Sequence, residues 1–344
     1  MILLLALGLA GASAPVLRQE TFEIARPSEA VAVLTAGCAG CSWAEKGREA
    51  AALVLSVDGR YSQHLLLGRG ETPAEYRVAL GPLAAGPHRL EVALDRKAGA
   101  RDVRAASVER IEIVAVSEGD PDHDALAYAP ILHARPNTIG RFTDLPVLMW
   151  YEIEPTPRGT RLRYSVIFTN EDGGTPADRL MATWGRVTDI ELVYGVERDA
   201  SGRVLEELYQ GPEHEITRFA GAHEGRHPLL WVATDNNMVR DRGRTTRRYA
   251  PAPLAFELVG VSREAVMDAH PWTYRVSAEE ARREGHIATT ARPGSGKIVD
   301  PRRYVYLEAC GEVRDAALRF AVSVPGPAGG TRWFESDGDR KSVV

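Results

Sequence analysis

Short runs of alternating apolar and polar residues cover the chain from Glu20 to about Val116. The runs are EAVAVLTAG, AALVLSVDG, SQHLLLGRG, AEYRVALG, HRLEVALD and ERIEIVAV. Alternation with a period of two is typical of antiparallel strands that bury one face. Gly, Asp and Pro separate the runs, so turns are expected to join successive strands. The pattern predicts an antiparallel β-sandwich of immunoglobulin or jelly-roll type.

The rest of the chain carries the same signal in longer runs, such as LPVLMWYEIE, TRLRYSVIFTN, VTDIELVYGVE and PLLWVATD. Helical signals are few. The segments 262–270 and 277–286 each begin with Ser and place Glu early, as an N-capped helix does. Ser277 and Glu280 have the spacing of a capping box. The chain is therefore predicted to be mostly β, with a larger β-sandwich-like second domain and a few short helices.

Composition divides the chain into five parts. Residues 1–14 have the short apolar core and small residues of a secretory signal peptide, and this core is far below the ~20 residues of a membrane span. Residues 15–117 are the predicted β-sandwich module, and the acidic, Pro-containing stretch 118–127 is interpreted as a linker. Residues 128–325 are the β-rich domain expected to carry function, and 326–344 form a Gly-rich flexible tail. We expect a secreted or periplasmic protein without a transmembrane segment.

Charge and motifs exclude several classes of function. The 42 basic and 47 acidic residues give a net charge of −5 without a basic stripe, so no nucleic acid partner is expected. The segment RPGSGKIVD lacks the first Gly and the final Ser or Thr of a phosphate-binding loop. The sequence also has no Gly-x-Ser-x-Gly nucleophile elbow and no His-Glu-x-x-His zinc motif. No reaction is identified by these patterns.

The three cysteines suit an oxidising compartment. Cys38 and Cys41 are close enough in sequence for a local disulfide, and the preferred interpretation leaves Cys310 buried and free. A bridge from Cys310 to either of the others is the alternative. A Cys₃ zinc site lacks a nearby His.

Two acids on one predicted strand are the strongest candidates for chemistry. In VTDIELVYG, simple alternation places Asp189, Glu191 and Val193 on one face and Ile190, Leu192 and Tyr194 on the other. Carboxylates two residues apart, ~7 Å along the backbone, suit Ca²⁺ or Mg²⁺, which prefer oxygen ligands. They also suit an acid/base pair in sugar chemistry. The alternative is the solvent-facing side of an antiparallel strand.

Polar loops in the same region supply further candidates. Asn170, Glu171 and Asp172 precede two glycines, and we interpret this segment as a hairpin turn. His214 lies in the His-rich segment PEHEITRFAGAHEGRHP and is the candidate third metal ligand or catalytic partner of Asp189 and Glu191. Aromatic, amide and charged loop residues are typical of sugar or anion sites. The ligand-binding candidates of this kind are Trp184, Arg186, Asp235, Asn236, Asn237, His270, Trp272 and Arg275.

The order of YAPIL, TDIELVY, YQGPEHE and HPLLWVAT between residues 128 and 235 resembles that of the vacuolar-protein-sorting-associated family of plants and fungi. It is also similar, more faintly, to that of secreted necrosis-inducing proteins. Both carry Asp-Trp-Glu on a strand followed by a His-containing strand. The resemblance implies that Asp189 and Glu191 are the matching carboxylates, which in the necrosis-inducing proteins help to hold a divalent metal. Ile190 replaces the Trp, and GRVT replaces the His-rich segment before the Asp.

Three functions remain open from the sequence. The first is binding of a glycan or another polar surface ligand, with a divalent cation (Ca²⁺ or Mg²⁺) as the expected cofactor. The second is a hydrolase or lyase that acts on a polysaccharide or a similar substrate through Asp189, Glu191 and His214. The third is a structural envelope protein without a site, which a solvent-open Asp189 far from every His would favour.

Overall fold

The computed structural model describes residues 14–136, 142–171, 174–292, 294–304, 314, 320–326 and 329–335. The predicted signal peptide, Cys310, Asp172 and most of the predicted tail lie outside the described residues. The described elements are mainly antiparallel strands with four short helices. The prediction of a mostly-β fold is therefore confirmed. No helix in the described part of the chain is long and apolar enough to cross a membrane.

Residues 14–117, here called the first module, contain seven strands that form two sheets. The strands are β1 (Val16–Ile24), β2 (Ser28–Gly37), β3 (Ala52–Val57), β4 (Arg60–Leu66), β5 (Ala74–Leu83), β6 (Gly86–Leu94) and β7 (Ser107–Ser117). The first sheet has the order β1-β6-β3-β4 and the second β5-β2-β7, and all neighbours are antiparallel. Leu34, Leu53 and Leu90 from the two sheets meet in one buried cluster. Burial of such leucines supplies most of the stabilisation of a sandwich.

Residues 118–304, here called the second region, are organised around a six-stranded sheet. Its strands are β9 (Pro146–Thr156), β10 (Gly159–Phe168), β11 (Asp189–Arg198), β12 (Val204–Gln210), β13 (Ile216–Arg218) and β18 (Leu254–Ala255), in the order β13-β12-β11-β10-β9-β18. A smaller sheet contains β8 (Ile131–His133), β14 (His223–Glu224), β15 (His227–Val232), β16 (Val239–Arg240) and β17 (Arg248–Tyr249). A hairpin of β19 (Ala321–Pro325) and β20 (Thr331–Glu335) follows.

The helices differ from the sequence prediction in their bounds, since the segments predicted at 262–270 and 277–286 are helical at Ala265–Ala269 and Trp272–Arg283, and Ala177–Trp184 was not predicted. They are α1 (His123–Ala127), α2 (Ala177–Trp184), α3 (Ala265–Ala269) and α4 (Trp272–Arg283), with single 3₁₀ turns at Pro212–His214 and Pro301–Arg303. Helix α4 begins five residues before Ser277, which is buried inside it and caps nothing. The predicted capping box is therefore wrong. Pro271 occupies the N-cap position with φ of −58°, a value that favours helix initiation.

The first module and the second region share their cores. Phe142, Leu145 and Tyr249 are buried in the same cluster as the leucines of the first module. Leu126 and Ala252 pack against Val31 and Val33 of β2 in another cluster. Helix α1, which carries Leu126, lies inside the segment interpreted as a linker, and four of its five residues are buried.

Buried polar contacts add to this interface. The Nε2 atom of His227 lies 3.1 Å from a carboxylate oxygen of Glu29. The indole nitrogen of Trp43 donates to Glu280 at 2.7 Å, and Arg283 pairs with both Glu280 and Glu49. Buried ion pairs favour one arrangement strongly, because breaking either partner leaves a charge without compensation.

Cys38 and Cys41 form the predicted local disulfide. Both sulfur-bearing residues are buried, and they belong to the same cluster as Trp43. The clip closes a loop of four residues next to the contact between Trp43 and Glu280.

Candidate functional site

Strand β11 contains a β-bulge, which shifts the alternation of its side chains between the two faces of the sheet by one residue. Tyr164 of β10 pairs with Tyr194, whereas the next residue, Ser165, pairs with Leu192, so Val193 has no partner opposite it. Residues that pair across antiparallel strands lie on the same face. Phe168 pairs with Asp189 and Val166 pairs with Glu191.

These pairings place Asp189 and Glu191 on the same face as Tyr194. Simple alternation predicted Tyr194 on the opposite face, and this part of the prediction is wrong because a β-bulge adds one residue to the strand. Tyr164, Val166, Phe168 and Tyr194 all belong to the main core of the second region. The two acids therefore continue a buried, aromatic face.

Burial settles one of the alternatives left open by the sequence. Asp189 is 2% exposed and Glu191 is 6% exposed, so the strand face is not solvated. The Nδ2 atom of Asn237 donates to Asp189 at 2.9 Å. The Nε2 atom of Gln210 donates to Glu191 at 3.0 Å. Each buried carboxylate thus receives an amide hydrogen bond in place of water.

A third acid joins the pair. Glu171 makes a side-chain hydrogen bond to Asp189, as does Glu191. Asp189, Glu191 and Glu171 are named here the acid cluster. Glu171 is half-buried and belongs to the loop after β10 that was interpreted as a turn. Carboxyl groups that lie within hydrogen-bonding distance of one another cannot all ionise unless a cation compensates their charge.

The pKa values follow from this crowding. Burial raises the pKa of Glu191 to about 9, and the neighbouring charge of Asp189 contributes to the rise. Burial also raises the pKa of Asp189, although Arg186 and the hydrogen bond from Asn237 oppose the increase. In the absence of a bound cation, the cluster therefore holds a proton at neutral pH.

The nearby arginines are already engaged. Arg186 is 3% exposed and pairs with Glu264 at 2.9 Å while also donating to the backbone oxygen of Thr188. Arg263 donates to the backbone oxygen of Ile190 at 2.9 Å. Both lower the pKa values of the acids through their charge, but no ion pair to either acid is present among the described residues.

His214 lies beside the cluster through one intermediate. Its Nδ1 atom is 3.0 Å from Nε2 of Gln210, the same nitrogen that donates to Glu191. His214 is exposed, and its φ of 62° lies in the left-handed region. The structure thus brings together the three residues proposed as catalytic or metal-binding, with Gln210 between His214 and the acids. Gln210 was not identified from the sequence, because it is a single polar residue at the end of β12 and belongs to no motif.

Asn237 is the second residue whose role depends on folding. Its Nδ2 atom also donates to the backbone oxygen of Asn170 at 2.8 Å, and the side chain of Asn170 donates to Glu280 at 2.8 Å. Its Oδ1 atom is buried and has no hydrogen-bond partner among the described residues. A buried carbonyl oxygen without a donor is costly, and an amide oxygen beside a carboxylate is of the type that hard cations accept as a ligand.

The other ligand-binding candidates lie in separate places. Trp184 is exposed at the end of α2, with the Arg186 guanidinium 5.7 Å from its ring centroid. Asp235 pairs with Arg135, and Asn236 accepts from Thr234 at 2.8 Å. The remaining three are associated with the start of α4: His270 and Trp272 line a cavity between the module and the second region, and Arg275 pairs with Glu279 at 2.8 Å. These seven residues therefore do not form one site.

The acid cluster fits only some kinds of cation. No group of three or more His, Cys, Asp or Glu residues arranged to hold a metal occurs in the part of the chain that the structure describes. A site for Zn²⁺, which takes His, Cys and carboxylate ligands, is thus not preformed. Ca²⁺ and Mg²⁺ also accept amide and backbone oxygens and water, so two carboxylates with Oδ1 of Asn237 suit these ions better.

Comparisons with known proteins give little. No family model and no curated protein matches the sequence. Among solved structures, one described as "NLPPya in complex with mannosamine" is 10% identical, and the alignment covers 44% of this chain and 79% of that chain with a TM-score of 0.30. We draw no functional conclusion from a likeness at this level.

Proposed function

We propose that the protein binds a polar surface ligand, a glycan being the best candidate, through a divalent cation held at the acid cluster. The supporting observation is the burial of Asp189 and Glu191 side by side, each with an amide donor, next to an amide oxygen that has no partner among the described residues. A cation would remove the repulsion that raises their pKa values. Asp189, Glu191 and Oδ1 of Asn237 would hold it, with water filling the remaining positions.

The ligand would approach from the side of His214 and Glu171, since these are the exposed and half-buried members of the group. Ca²⁺ and Mg²⁺ keep open positions that oxygen ligands such as water or hydroxyl groups fill. Adjacent sugar hydroxyls supply two such oxygens in a fixed geometry. The open coordination positions of the cation, rather than a specific protein contact, are the reason to propose a glycan.

Thermal unfolding tests the cation site. After chelation, Ca²⁺ or Mg²⁺ should raise the midpoint of the wild-type protein, because a ligand of the native state stabilises it by about 2.7 kcal/mol at a hundredfold excess over Kd. The variants Asp189→Asn and Glu191→Gln should lose this increase, yet should melt higher than the chelated wild type at neutral pH, because a buried amide neither ionises nor has to take up a proton on folding. Glu154→Gln, an exposed acid on β9, is the matched control and should retain the response.

Binding to polysaccharides tests the ligand. Wild-type protein should be retained on insoluble polysaccharides or cell-wall material with the cation present and released by chelator, and the two cluster variants should not be retained. A wild-type protein that shows no cation response and no chelator-sensitive retention would exclude the proposal.

One observation favours an acid/base hydrolase or lyase as the second candidate. A carboxyl group with a pKa of about 9, such as Glu191, stays protonated at neutral pH and serves as a general acid. However, Asp189 and Glu191 share a hydrogen bond, whereas the carboxyl groups of retaining glycosidases lie about 5 Å apart. Turnover of a polysaccharide that Asp189→Asn abolishes, in a protein that keeps its fold and needs no cation, would support this alternative.

A further inference from the structure

A cavity of about 340 Å³ lies between the first module and the second region. Strands β4 and β5 form its wall on one side, and β9, β18 and α4 form it on the other. Among the described residues of this wall, neither Asp189 nor Glu191 is present, so the cavity is separate from the acid cluster. Its volume is within the range of small-molecule sites, which also occur preferentially between domains.

The wall of the cavity is mostly apolar. Trp43, Leu66 and Val78 contribute from the first module, and Val147, Met149 and Leu254 contribute from the second region. Two buried polar residues of the wall already make hydrogen bonds within the protein. Gln63 bonds to the backbone of Ala79 at 2.6 Å and of Ala250 at 2.9 Å, and the hydroxyl of Thr169 donates to the backbone oxygen of Phe142 at 3.1 Å. The interior therefore suits a hydrocarbon group and offers few polar contacts.

One charged residue of the wall, Arg69, has no carboxylate partner among the described residues. Arg69 is half-buried, with its guanidinium carbon 4.2 Å from the ring centroid of Trp272 and 6.0 Å from that of Tyr76. Its guanidinium donates to the backbone oxygen of Glu75 at 2.9 Å. In the described part of the chain, no carboxylate lies within 4.0 Å of its guanidinium nitrogens.

The surrounding charges leave an excess of positive charge at this wall. The wall carries Arg69, Arg77 and one acid, Glu75, and Arg77 and Glu75 are exposed, so one positive charge is in excess. The charge of Glu75 favours the ionised form of Arg69, and the charge of the nearby Arg275 opposes it. Burial lowers the pKa values of His64 and His270, so the two histidines of the wall add no charge at neutral pH. An arginine held between aromatic rings is preorganised to bind a planar anion, to which its guanidinium donates two parallel hydrogen bonds.

We propose that this cavity binds a medium-chain fatty carboxylate, or a molecule of the same class, with its anionic head on Arg69 and its hydrocarbon tail against the apolar wall. The head is specified by the surplus guanidinium and the tail by the cavity lining. The volume, at the lower end of ligand pockets, favours a chain of about ten carbons over a long-chain lipid.

Isothermal titration of octanoate, decanoate and dodecanoate, each below its micelle concentration, tests the tail. Decanoate should bind with one site per chain, and affinity should rise about threefold to fourfold per added methylene until the cavity is full. Val147→Phe, which adds volume to the wall, should weaken decanoate binding at least about tenfold. Val204→Phe, a similar change at an exposed site on β12, should have no effect.

Decanol tests the head, because it has the same tail and no charge. It should bind wild-type protein about tenfold more weakly than decanoate, or weaker still. The Arg69→Gln variant should bind both ligands with equal, weak affinity, whereas the exposed-site variant Arg60→Gln should keep the preference for decanoate. Circular dichroism melting checks that each variant is folded, and Leu254→Trp replaces Val147→Phe if the latter does not fold.

Three results would overturn the proposal: no saturable decanoate binding by the wild type, equal affinity for decanoate and decanol, or decanoate binding unchanged when the cavity is filled. Asp189→Asn should leave decanoate binding intact, so failure of the acid-cluster proposal and failure of this one are distinguishable.

Discussion

Glu191 combines deep burial with a like-charged neighbour. Both features penalise its ionised form, and the hydrogen bond from Gln210 compensates only in part. The ordinary pKa of a glutamate is 4.5, and that of Glu191 is about 9. At pH values well between these two, this carboxyl group therefore holds a proton in the folded protein without a cation and has lost it in the unfolded chain.

This difference predicts an unusual pH dependence of stability. Because the pKa of Glu191 is raised on folding, its contribution is fully present below about pH 4.5 and is lost as pH rises through about 9. The free energy of unfolding of chelated protein should fall between about pH 5 and about pH 8, by at most about 1.4 kcal/mol per pH unit for this group. Urea unfolding at several pH values measures the slope.

Glu191→Gln should reduce the slope, and Glu154→Gln should not. Below about pH 7 a part of the slope should remain, because the pKa of Glu280 is also raised, to about 7. Equal slopes in wild type and Glu191→Gln would contradict the assigned pKa. Since a bound cation keeps the carboxylates ionised, saturating Ca²⁺ or Mg²⁺ should reduce the slope in the wild type as well.

The sequence identified the acids of this site but not their surroundings. Asp189 and Glu191 stand out because two carboxylates on one strand are visible in a short window. Their burial depends on Gln210, Asn237 and Asn170, which lie on other elements and have no motif of their own. Hydrogen bonds between single polar residues that are far apart in sequence leave no local pattern. The environment of the two acids could therefore be identified only in the folded structure.

At the scale of elements, α4 joins the two parts of the molecule. Its residue Glu280 accepts from Trp43 and Asn170, and burial raises the pKa of Glu280 to about 7 despite the charge of Arg283. Arg283 in turn pairs with Glu49 of the first module at 3.5 Å. One helical turn thus contacts Trp43 and Glu49 of the first module. The same turn contacts Asn170, which in turn accepts a hydrogen bond from Asn237 beside the acid cluster.

Removal of the Arg283 charge should be strongly destabilising. Arg283→Leu leaves Glu280 and Glu49 buried without their cation, which typically costs about 3–5 kcal/mol. The adjacent Arg282, whose side chain is 47% exposed and pairs with Asp300, is a matched control. Arg282→Leu should cost less than about 1 kcal/mol. Urea unfolding of both variants decides the matter, and equal costs would contradict a structural role for the buried network.

The start of α4 shows where local signals mislead. Ser277 and Glu280 match a capping box in sequence, yet both are buried inside the helix and serve the interface. Tertiary packing of the preceding turn, Trp272 to Val276, extends the helix toward Pro271. Pro271 was the visible signal for the true start, since proline favours the first positions of a helix.

At the scale of the whole molecule, the first module and the second region share one hydrophobic cluster. Phe142 of the second region is 4% exposed and packs edge-on against Trp43, with ring centroids 6.0 Å apart. Cores that merge across a boundary unfold together when the shared contacts are a large part of the total. We therefore expect one thermal transition for the whole chain.

Calorimetry of Phe142→Ala tests this expectation. The variant should lose about 3–5 kcal/mol, and the calorimetric and van't Hoff enthalpies should agree for both wild type and variant. Val204→Ala, at an exposed position, should change stability by less than about 0.5 kcal/mol. A variant that splits the transition into two peaks would show that the first module is an independent folding unit.

The sequence pattern was sufficient for the strand-rich class because alternation is a local property. It did not predict the shared core, since Phe142 and Tyr249 reach the first module only through the order of the sheets. It also missed the short helix α1, whose five residues are too few to show periodicity.

The bulge at Val193 has a consequence for how this protein tolerates change. Upstream of it the strand must present the acids, and downstream of it the strand must present Tyr194 and Val196, to the same side. Only an extra residue between the two halves satisfies both. Val193 is itself 0% exposed and belongs to the main core of the second region, so its side chain is constrained by packing as well. Deleting Val193 would shift the phase of one half and turn either the acids or the aromatic core outward. Across this segment, the number of residues is therefore constrained as well as their identity.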